Sequence, residues 1–368
     1  MIARVVSLAL ASLFASAAIA QNADGIELPA GFTATVVHEG LGTGRHLAVA
    51  ANGDIYLGGR NGLLALRDTN GDGKVDETKS FGDVKGTEVV IFGDWLYVSD
   101  DVGVYRYPLK KGELAPSGAK QVVVDGFPRE RQHADKTFTL DAKGTLYVNV
   151  GAPSNSCQEQ DRQPGSLGRN PCPILEKYGG VWVFDGNKLD QKASGGRHFA
   201  TGMRNAVALE WNAGQNALYA VIHGRDGLDT LLPKLYNSVD NATRTAEEFH
   251  KITEGGEYGW PYTFYDNTLK QRVLAPEYGG DGKKTPEQGK YPDPLVAFPA
   301  HWAPNDLLFY SGKSFPAKYR DGALIAFHGS WNRAPEPQAG YKVVLQPMKE
   351  GKSNGAFEVF ADGFAGEL

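Results

Sequence analysis

Short runs of alternating apolar and polar residues, separated by turns rich in glycine and aspartate, fill the chain from residue 34 onward. A period of two residues indicates β-strands, because successive side chains of a strand point to opposite faces. One phrase recurs, in which a glycine-containing turn precedes an aromatic or aliphatic strand. It occurs as NGDIYLGG at Asn52, GDWLYVSD at Gly93, KGTLYVNV at Lys143, QNALYAVI at Gln215 and DGALIAFH at Asp321. Helix signals are scarce, and we expect one or two helical turns only over residues 245–251.

The recurrence of this phrase predicts the architecture as well as the strands. A second strand usually follows the phrase, as at residues 62–66, 102–107 and 180–184. Repeats of several short strands about 40 to 50 residues apart are typical of the blades of a β-propeller. The alternative is a β-sandwich, whose strands also alternate with turns, but sandwich strands need no common sequence. We therefore expect an all-β propeller in which five blade cores are visible.

The first twenty residues predict a secretory signal peptide. One positive residue, Arg4, precedes an apolar run that ends in Ala18, Ile19 and Ala20, the small-x-small pattern of a signal peptidase site. No later run approaches the roughly 20 apolar residues that a spanning helix needs. We expect cleavage before Gln21, a periplasmic or secreted protein without a membrane span, and a single domain over residues 21–368.

Charge excludes one class of partner. The chain carries 38 basic and 43 acidic residues, and loss of Arg4 with the signal peptide takes the formal net charge from -5 to -6. No basic cluster stands out in the sequence, so nucleic acid is not expected as a partner.

The two cysteines, Cys157 and Cys172, lie in a polar stretch rich in turns. Export would bring them into an oxidising compartment, where we expect them to form a disulfide. Closing a loop of about 15 residues contributes on the order of 3 kcal/mol in the chain-entropy model. No CxxCH motif is present, so the chain is not expected to carry a c-type haem.

Residues 202–227 form the densest concentration of candidate chemistry. Arg204 and Asn205 stand just before an apolar strand, and a second strand at residues 217–222 would return His223 to Gly227 to the same end. A charged fork and a neutral amide there could grip an anionic or quinonoid ligand. The alternative is a structural arginine that donates to neighbouring carbonyls.

His133 directly precedes the third blade core and falls at a loop end, where the ligands of a propeller gather. An imidazole with a pKa near 6.5 can take a proton from a sugar hydroxyl while a hydride leaves the same carbon. The alternative is a surface or hydrogen-bonded histidine without a catalytic role.

Two segments carry oxygen ligands suited to calcium. Asp68, Asn70 and Asp72 alternate in DTNGDGKVD, which lacks the distal bidentate glutamate of a calcium loop and is equally compatible with an Asx-rich turn. In the segment EEFHKITEGGEYGWPY, Glu248 and Tyr258 could provide oxygen ligands for calcium. The alternative is that this segment forms a solvated acidic pair and a packed Trp-Pro corner. The stretch PAHWAPNDLLFY offers an aromatic face for a planar ligand, or core packing.

Taken together, several of these motifs resemble the glucose/sorbosone dehydrogenase family. They are His133 before a blade core, GMRN, HGRDG, EEFHKITEGGEYGWPY, the paired cysteines and HWAPNDLLFYSGKSFPAKYRDGALIAFHGSWNR. The resemblance runs from about residue 28 to the end and is closest to the sorbosone-dehydrogenase-like branch, chiefly through HGSWNR. It implies a secreted six-bladed propeller that depends on pyrroloquinoline quinone and calcium.

By position, the resemblance assigns roles to individual residues. His133 matches the general base, and Arg204 with Asn205 matches the pair at the reactive carbonyl of the quinone. Gly224 and Arg225 match backbone carbonyls that hold calcium, where the family has Gly-Pro. Glu248 and Tyr258 match positions that hold a second, structural calcium. Ser330 or Arg333 lies near the position of a cofactor-binding lysine.

One departure concerns the end of the chain. The family continues past a turn like Gly363-Phe364 into a Gly-Arg segment and a last blade core, whereas this chain ends at Leu368. We therefore expect an incomplete sixth blade, an open gap flanked by exposed sheet edges, weak quinone binding and aggregation. The cationic group that the family supplies to the carboxylates of the cofactor would be missing.

The leading functional hypothesis is an oxidoreductase that passes a hydride from an aldose, or from a sugar-derived alcohol or aldehyde, to pyrroloquinoline quinone. Its electrons would go to an external quinone or cytochrome. A calcium-dependent lactonase-type propeller is one alternative, and it would need axial Asn and Asp calcium ligands but no Arg204. A sugar-binding propeller without catalysis is the other.

Overall fold

The computed structural model describes residue 23 and residues 25–365. It contains five antiparallel sheets, each built from four main strands that follow one another along the chain. The predicted signal peptide lies outside the described residues. Each sheet is one blade, and the first strands of adjacent blades are in contact at three of the boundaries between blades. The strands of the first two blades are β1 (Gly44–Val49), β2 (Ile55–Gly59), β3 (Gly62–Arg67), β4 (Glu77–Phe81), β5 (Val89–Phe92), β6 (Trp95–Ser99), β7 (Gly103–Pro108) and β8 (Gln121–Asp125).

The third and fourth blades carry the long insertions of the chain. The third consists of β9 (Phe138–Leu140), β10 (Thr145–Val150), β11 (Gly180–Asp185) and β13 (Arg197–Thr201), and the fourth of β14 (Ala208–Asn212), β15 (Ala217–Ile222), β16 (Glu247–Ile252) and β20 (Val296–Phe298). Two short strands extend the second and third blades by parallel pairing, β12 (Gln191–Lys192) on β8 and β17 (Gly256–Glu257) on β13. A hairpin of β18 (Thr263–Asp266) and β19 (Gln271–Leu274) lies within the insertion of the fourth blade.

The fifth blade contains the strand-like segments that follow the last repeat phrase. It is built from β21 (Pro304–Phe309), β22 (Ala323–Phe327), β23 (Lys342–Gln346) and β26 (Glu358–Ala361), with a small hairpin of β24 (Met348–Lys349) and β25 (Lys352–Ser353). Residues 341–346 and 357–360 therefore complete the fifth blade instead of beginning a sixth. The all-β propeller is confirmed, with five blades in the described residues.

The recurring phrase provides the second strand of every blade, namely β2, β6, β10, β15 and β22. In four phrases a tyrosine packs into the core between its own blade and the next, and the four are Tyr56, Tyr97, Tyr147 and Tyr219. The phrase recurs because each blade buries the same pattern against its neighbour.

The first and fifth blades meet through polar contacts. His46 Nε2 lies 2.9 Å from the Asn305 carbonyl oxygen, and Arg45 donates to the Asn305 side chain at 3.2 Å. Leu47 and Val49, on the face of β1 opposite to Ala48 and Ala50 of the first core, are 56% and 59% exposed. These contacts join the first and fifth blades at Asn305, while apolar side chains of β1 remain exposed, and the open gap stays a prediction.

Helices are few and short, as expected, but not where the sequence predicted one. The α-helices are α1 (Leu228–Leu231) and α2 (Ser238–Thr243), and single 3₁₀ turns cover Pro173–Glu176, Ala193–Gly195, Pro276–Tyr278, Ala317–Tyr319 and Trp331–Arg333. The predicted helical turns at residues 245–251 are wrong, because this segment is strand β16, paired with β15 and β20. Pairing on both sides overrides the local signal. In the described part of the chain no helix is long and apolar enough to cross a membrane.

Candidate active site

The hairpin predicted over residues 202–227 is present and brings its two polar ends together. Strand β14 pairs with β15 in antiparallel register, with Ala208 opposite Val221. The backbone N–H of His223 donates to the Asn205 carbonyl at 2.9 Å, which closes the end of the hairpin. The segments before β14 and after β15 therefore share one wall.

Arg204 is buried at this wall, with a side chain 4% exposed. Its Nη1 donates to the Gly224 carbonyl at 2.9 Å and its Nη2 to Asp226 Oδ2 at 2.5 Å, while Nε has no partner within the described residues. Burial lowers the pKa of Arg204, whereas Asp226 raises it. The guanidinium is held by a carbonyl and a carboxylate, and its buried Nε–H remains available to a further group.

Asp226 is the centre of a network that sequence reasoning missed. Its Oδ2 also accepts from Arg162 at 3.1 Å, and its Oδ1 accepts from Asn332 Nδ2 at 3.0 Å and lies 3.7 Å from His301 Nδ1. Burial raises the pKa of Asp226, but Arg204 and further cations outweigh it and hold that pKa well below its usual range. In the sequence, the HGRDG motif was the only signal for this role, and it suggested a ligand site through its glycines and not through its carboxylate.

His133 lies in the loop between β8 and β9 with a positive φ of 52°. Its Nδ1 is 2.5 Å from the Ala152 carbonyl, so Nδ1–H donates and the lone pair of Nε2 is left free. Burial, and after it Arg204, lowers the pKa of His133 to about 3. The imidazole is therefore neutral at neutral pH and can accept a proton at Nε2.

A glycine permits the close approach of the candidate residues. A Cβ added at Gly151 would lie 2.5 Å from the His133 Cβ and 2.8 Å from Asn205 Oδ1. Any side chain at Gly151 would separate His133 from Asn205.

Two adjoining cavities surround these residues and share His133, His223 and His328. The first, here called the Arg204 chamber, has a volume of about 440 Å³. The second, the Arg45 chamber, has a volume of about 600 Å³. The Arg204 chamber is also lined by Asp226, Glu247, His301, Ser330, Trp331, Asn332 and Tyr341. His133 therefore faces both chambers and could act on a group in either.

The predicted cofactor residues divide between these chambers. Arg204 lines the Arg204 chamber, whereas Asn205 lines the Arg45 chamber and accepts from Asn149 at 3.1 Å. Arg333 lines neither, because its Nη1 donates to the carbonyls of Ala242 at 2.5 Å and Ala300 at 3.0 Å. Of the two alternatives at that position, Ser330 is the residue on the chamber wall.

The side chains predicted for a second calcium are committed to other partners. Glu248 is paired with Arg272 Nη2 and lies 2.9 Å from His250 Nε2. The Tyr258 hydroxyl donates to the Lys251 carbonyl at 2.9 Å. A carboxylate that already faces a buried guanidinium does not fit a calcium ion.

The aspartate-rich loop between β3 and β4 has the geometry of an Asx-rich turn. Asp68 accepts the backbone N–H groups of Gly71 at 2.7 Å and Gly73 at 2.8 Å, and Asn70 and Asp72 accept from residues two positions on. Within the described residues, no group of three or more His, Cys, Asp and Glu side chains is arranged to hold a metal ion. Calcium at this loop stays a prediction.

At the first predicted calcium position, the Gly224 carbonyl accepts from Arg204, whereas the Arg225 carbonyl accepts no hydrogen bond in the described chain. The Arg225 side chain forms a buried pair with Glu277 at 2.7 and 2.8 Å. Arg225 therefore offers a carbonyl, while its charge is directed away from the Arg204 chamber.

The predicted disulfide is confirmed, since Cys157 and Cys172 are bonded and buried beside Trp260. The loop that it closes reaches the candidate site through Arg162. This side chain donates to Asp226 at 3.1 Å and to Gln132, the neighbour of His133, at 3.1 and 3.2 Å. The loop thus braces both the carboxylate under Arg204 and the segment that carries His133.

Comparison with known proteins identifies the family. The TrAA12-like family matches residues 26–359, which is most of the chain. A curated pyrroloquinoline quinone-dependent pyranose dehydrogenase of Coprinopsis cinerea is 31% identical over 212 residues, covering 50% of this chain and 27% of that protein. An uncharacterised protein of Borreliella burgdorferi is 33% identical over 145 residues, covering 39% of this chain and 32% of that protein. These alignments span a third or less of each curated relative.

Solved structures share the fold at low sequence identity. The holo form of the pyranose dehydrogenase PQQ domain of Coprinopsis cinerea has a TM-score of 0.71 at 18% identity, over 94% of this chain and 88% of that one. The calcium structure of Trichoderma reesei carbohydrate-active enzymes family AA12 has a TM-score of 0.68 at 18% identity, over 93% and 87%. The PQQ-bound aldose sugar dehydrogenase of Streptomyces coelicolor has a TM-score of 0.53 at 16% identity, over 91% and 84%.

Proposed function

The chain belongs to the TrAA12-like family, and on that premise we propose that it is an exported sugar oxidoreductase that uses pyrroloquinoline quinone. The substrate class is an aldose or a sugar-derived alcohol or aldehyde. The observation that carries the proposal is His133, a neutral imidazole with a free Nε2 between two chambers of ligand size. The sorbosone-like branch, suggested by HGSWNR, stays a prediction within this proposal.

The residues of the Arg204 chamber fit a planar anionic cofactor. The buried Arg204 has an unpartnered Nε, and Trp331 is 74% exposed beside Tyr341 on the chamber wall. A guanidinium suits electron-rich oxygens, and aromatic faces suit a flat ring system. When bound, pyrroloquinoline quinone supplies an electrophilic carbonyl carbon that accepts the hydride.

His133 would take the proton of the reacting hydroxyl at Nε2 while the hydride leaves the same carbon. The Ala152 carbonyl holds the ring in the required tautomer, and it also stabilises the imidazolium that forms. Asp226 favours the charged ring as well. Arg204, fixed by Asp226 and the Gly224 carbonyl, would stabilise negative charge that develops on the accepting group.

Calcium would be held by the carbonyls of Gly224 and Arg225. The Arg225 carbonyl accepts no hydrogen bond from the described residues, but the Gly224 carbonyl already accepts from Arg204. Of the carboxylates beside this segment, Asp226 is bound by two arginines and Glu247 accepts the Gly224 backbone N–H at 2.9 Å. This donor set fits calcium only in part, so no catalytic step is assigned to the ion.

The proposal is tested by adding the quinone and calcium to purified protein and following sugar-dependent bleaching of a redox dye. We expect turnover with an aldose, and a loss on the order of a hundredfold in His133→Gln with quinone affinity unchanged by calorimetry. Absence of quinone-dependent turnover would overturn the assigned activity. Unchanged turnover in His133→Gln would remove this residue from the mechanism.

A further inference from the structure

Three cationic side chains of the Arg45 chamber have no partner among the described residues. Arg60 lies in the turn between β2 and β3, Lys85 in the loop between β4 and β5, and Arg131 in the loop between β8 and β9. All three are exposed, and none makes a hydrogen bond or ion pair with the described residues. These residues, here called the rim cations, come from a turn of the first blade and from the links between the first and second and the second and third blades, and all three line one cavity.

The acidic side chains of the same chamber are already engaged. Asp135 accepts from Arg45 at 3.2 Å, Glu130 accepts from the Tyr178 hydroxyl at 2.6 Å, and Asp101 lies 3.9 Å from Arg129. Each of these acids therefore has a direct partner other than a rim cation.

The same acids also act electrostatically on a buried cation, Lys136. Lys136 is 2% exposed and donates to the Ala134 carbonyl. Burial lowers the pKa of Lys136 to about 8, while Asp101, Asp135 and Glu130 act to raise it. These acids thus also act on Lys136, and Arg60, Lys85 and Arg131 are left as exposed cations of the cavity without a direct partner among the described residues.

Unpaired cations around a concave cavity raise the local concentration of anions and bind carboxylates through charge-assisted hydrogen bonds. The inner wall of this chamber carries His133 and Asn205. A ligand with a carboxylate at the rim would therefore reach inward towards the candidate base.

We propose that the rim cations bind a carboxylate of a ligand whose reacting part lies at His133. The inference rests on the proposed function, since the ligand is taken to be a partner in the sugar oxidation. Two sources share this chemistry, namely the carboxylates of pyrroloquinoline quinone and the carboxylate of an acidic sugar substrate. If the ligand is the quinone, Arg60, Lys85 and Arg131 would supply the cationic contacts to its carboxylates that were expected to be missing.

The test compares two triple variants with the same change in net charge. R60Q/K85Q/R131Q removes the rim cations, and K111Q/K188Q/K349Q removes three exposed lysines that line none of the described cavities. Isothermal titration of each protein is carried out with pyrroloquinoline quinone and, separately without quinone, with D-glucuronate and D-glucose. Thermal unfolding of both variants checks that the fold is retained.

We expect the rim variant to bind one carboxylate-bearing probe at least about tenfold more weakly at low salt, with the lysine control within twofold of the parent. The difference should shrink as salt rises, because exposed charges are screened within about 10 Å at 0.1 M. Weakened quinone binding assigns the rim to the cofactor, and weakened glucuronate binding with unchanged glucose binding assigns it to the substrate.

Affinity for both carboxylate probes within twofold of the parent would overturn the inference, and so would a parent protein that binds neither probe. Equal weakening in the lysine control would also overturn it, because net charge alone would then account for the effect. Glucuronate binding that depends on the rim, in a protein without quinone-dependent turnover, would support this inference while the proposed redox function fails.

Discussion

Replacing Asp226 by asparagine should distinguish an effect on the orientation of Arg204 from an effect on the stability of the whole propeller. In Asp226→Asn the amide keeps the shape of the carboxylate, but it leaves the guanidinium of Arg204, 4% exposed, without a counter-charge. Breaking a buried ion pair typically costs about 3 to 5 kcal/mol. The Asp226 side chain is 14% exposed and also pairs with the half-exposed Arg162, so we expect the lower end of that range, about 3 kcal/mol.

This loss converts into a modest change of melting temperature. Unfolding entropies of about 2.1 cal/mol/K per residue make about 0.8 kcal/mol/K for a chain of 368 residues, so Tm should fall by about 4 °C. The pKa of Asp226 is depressed in the folded state, so its contribution is present above the unfolded pKa near 4 and is lost only as pH falls through the folded value. The Tm difference should therefore stay constant between about pH 8 and pH 5.

Asp54→Asn is the matched control, because Asp54 is a buried carboxylate that pairs with Arg67 through two hydrogen bonds of 2.7 Å in the first blade. Neither residue lines either chamber. Calorimetry should give a Tm loss in both variants. Turnover should fall by tenfold or more only in Asp226→Asn, because only there does Arg204 lose its orientation. Wild-type Tm and turnover in Asp226→Asn would refute the role of the pair, and an equal loss of turnover in Asp54→Asn would assign the effect to general destabilisation.

The base, the disulfide loop and one buried carboxyl give three further tests. Because the pKa of His133 is lowered to about 3, kcat/KM should stay flat from pH 7 to about pH 5 and fall only at more acid pH, and an acid limb near pH 6.5 would contradict this. Arg162→Ala should reduce turnover about tenfold with little change in Tm, whereas Arg169→Ala on the same loop should not, and equal turnover in the two variants would contradict the bracing role. Burial raises the pKa of Glu210 to about 8, so the folded state is most stable below the unfolded pKa near 4.5 and loses stability as pH rises through 8. The Tm gain of Glu210→Gln should therefore grow from pH 5 to pH 9. A gain that does not depend on pH would contradict the titration of Glu210.

Local sequence was sufficient to predict the main strands and part of the candidate active site. The five glycine-turn phrases became the second strand of each blade, because alternation and turn residues act over a few positions that are adjacent in the chain. The hairpin that joins Asn205 to His223 and the single possible disulfide were predictable for the same reason. The strand at residues 247–252 was not, because its conformation is set by pairing with β15 and β20.

The sequence by itself thus determined the all-β propeller, the general position of His133 and Arg204, and the pairing of the cysteines. Tertiary structure alone decided that Asp226 orients Arg204, that Arg333 turns away from the chambers, and that Arg60, Lys85 and Arg131 meet at one opening. The pair of Arg204 and Asp226 joins the two ends of one hairpin, whereas the other two outcomes depend on loops that are brought together only when the blades pack around a common axis. Charge and burial at the site are properties of that packing, whereas alternation and turn formation are properties of neighbouring residues.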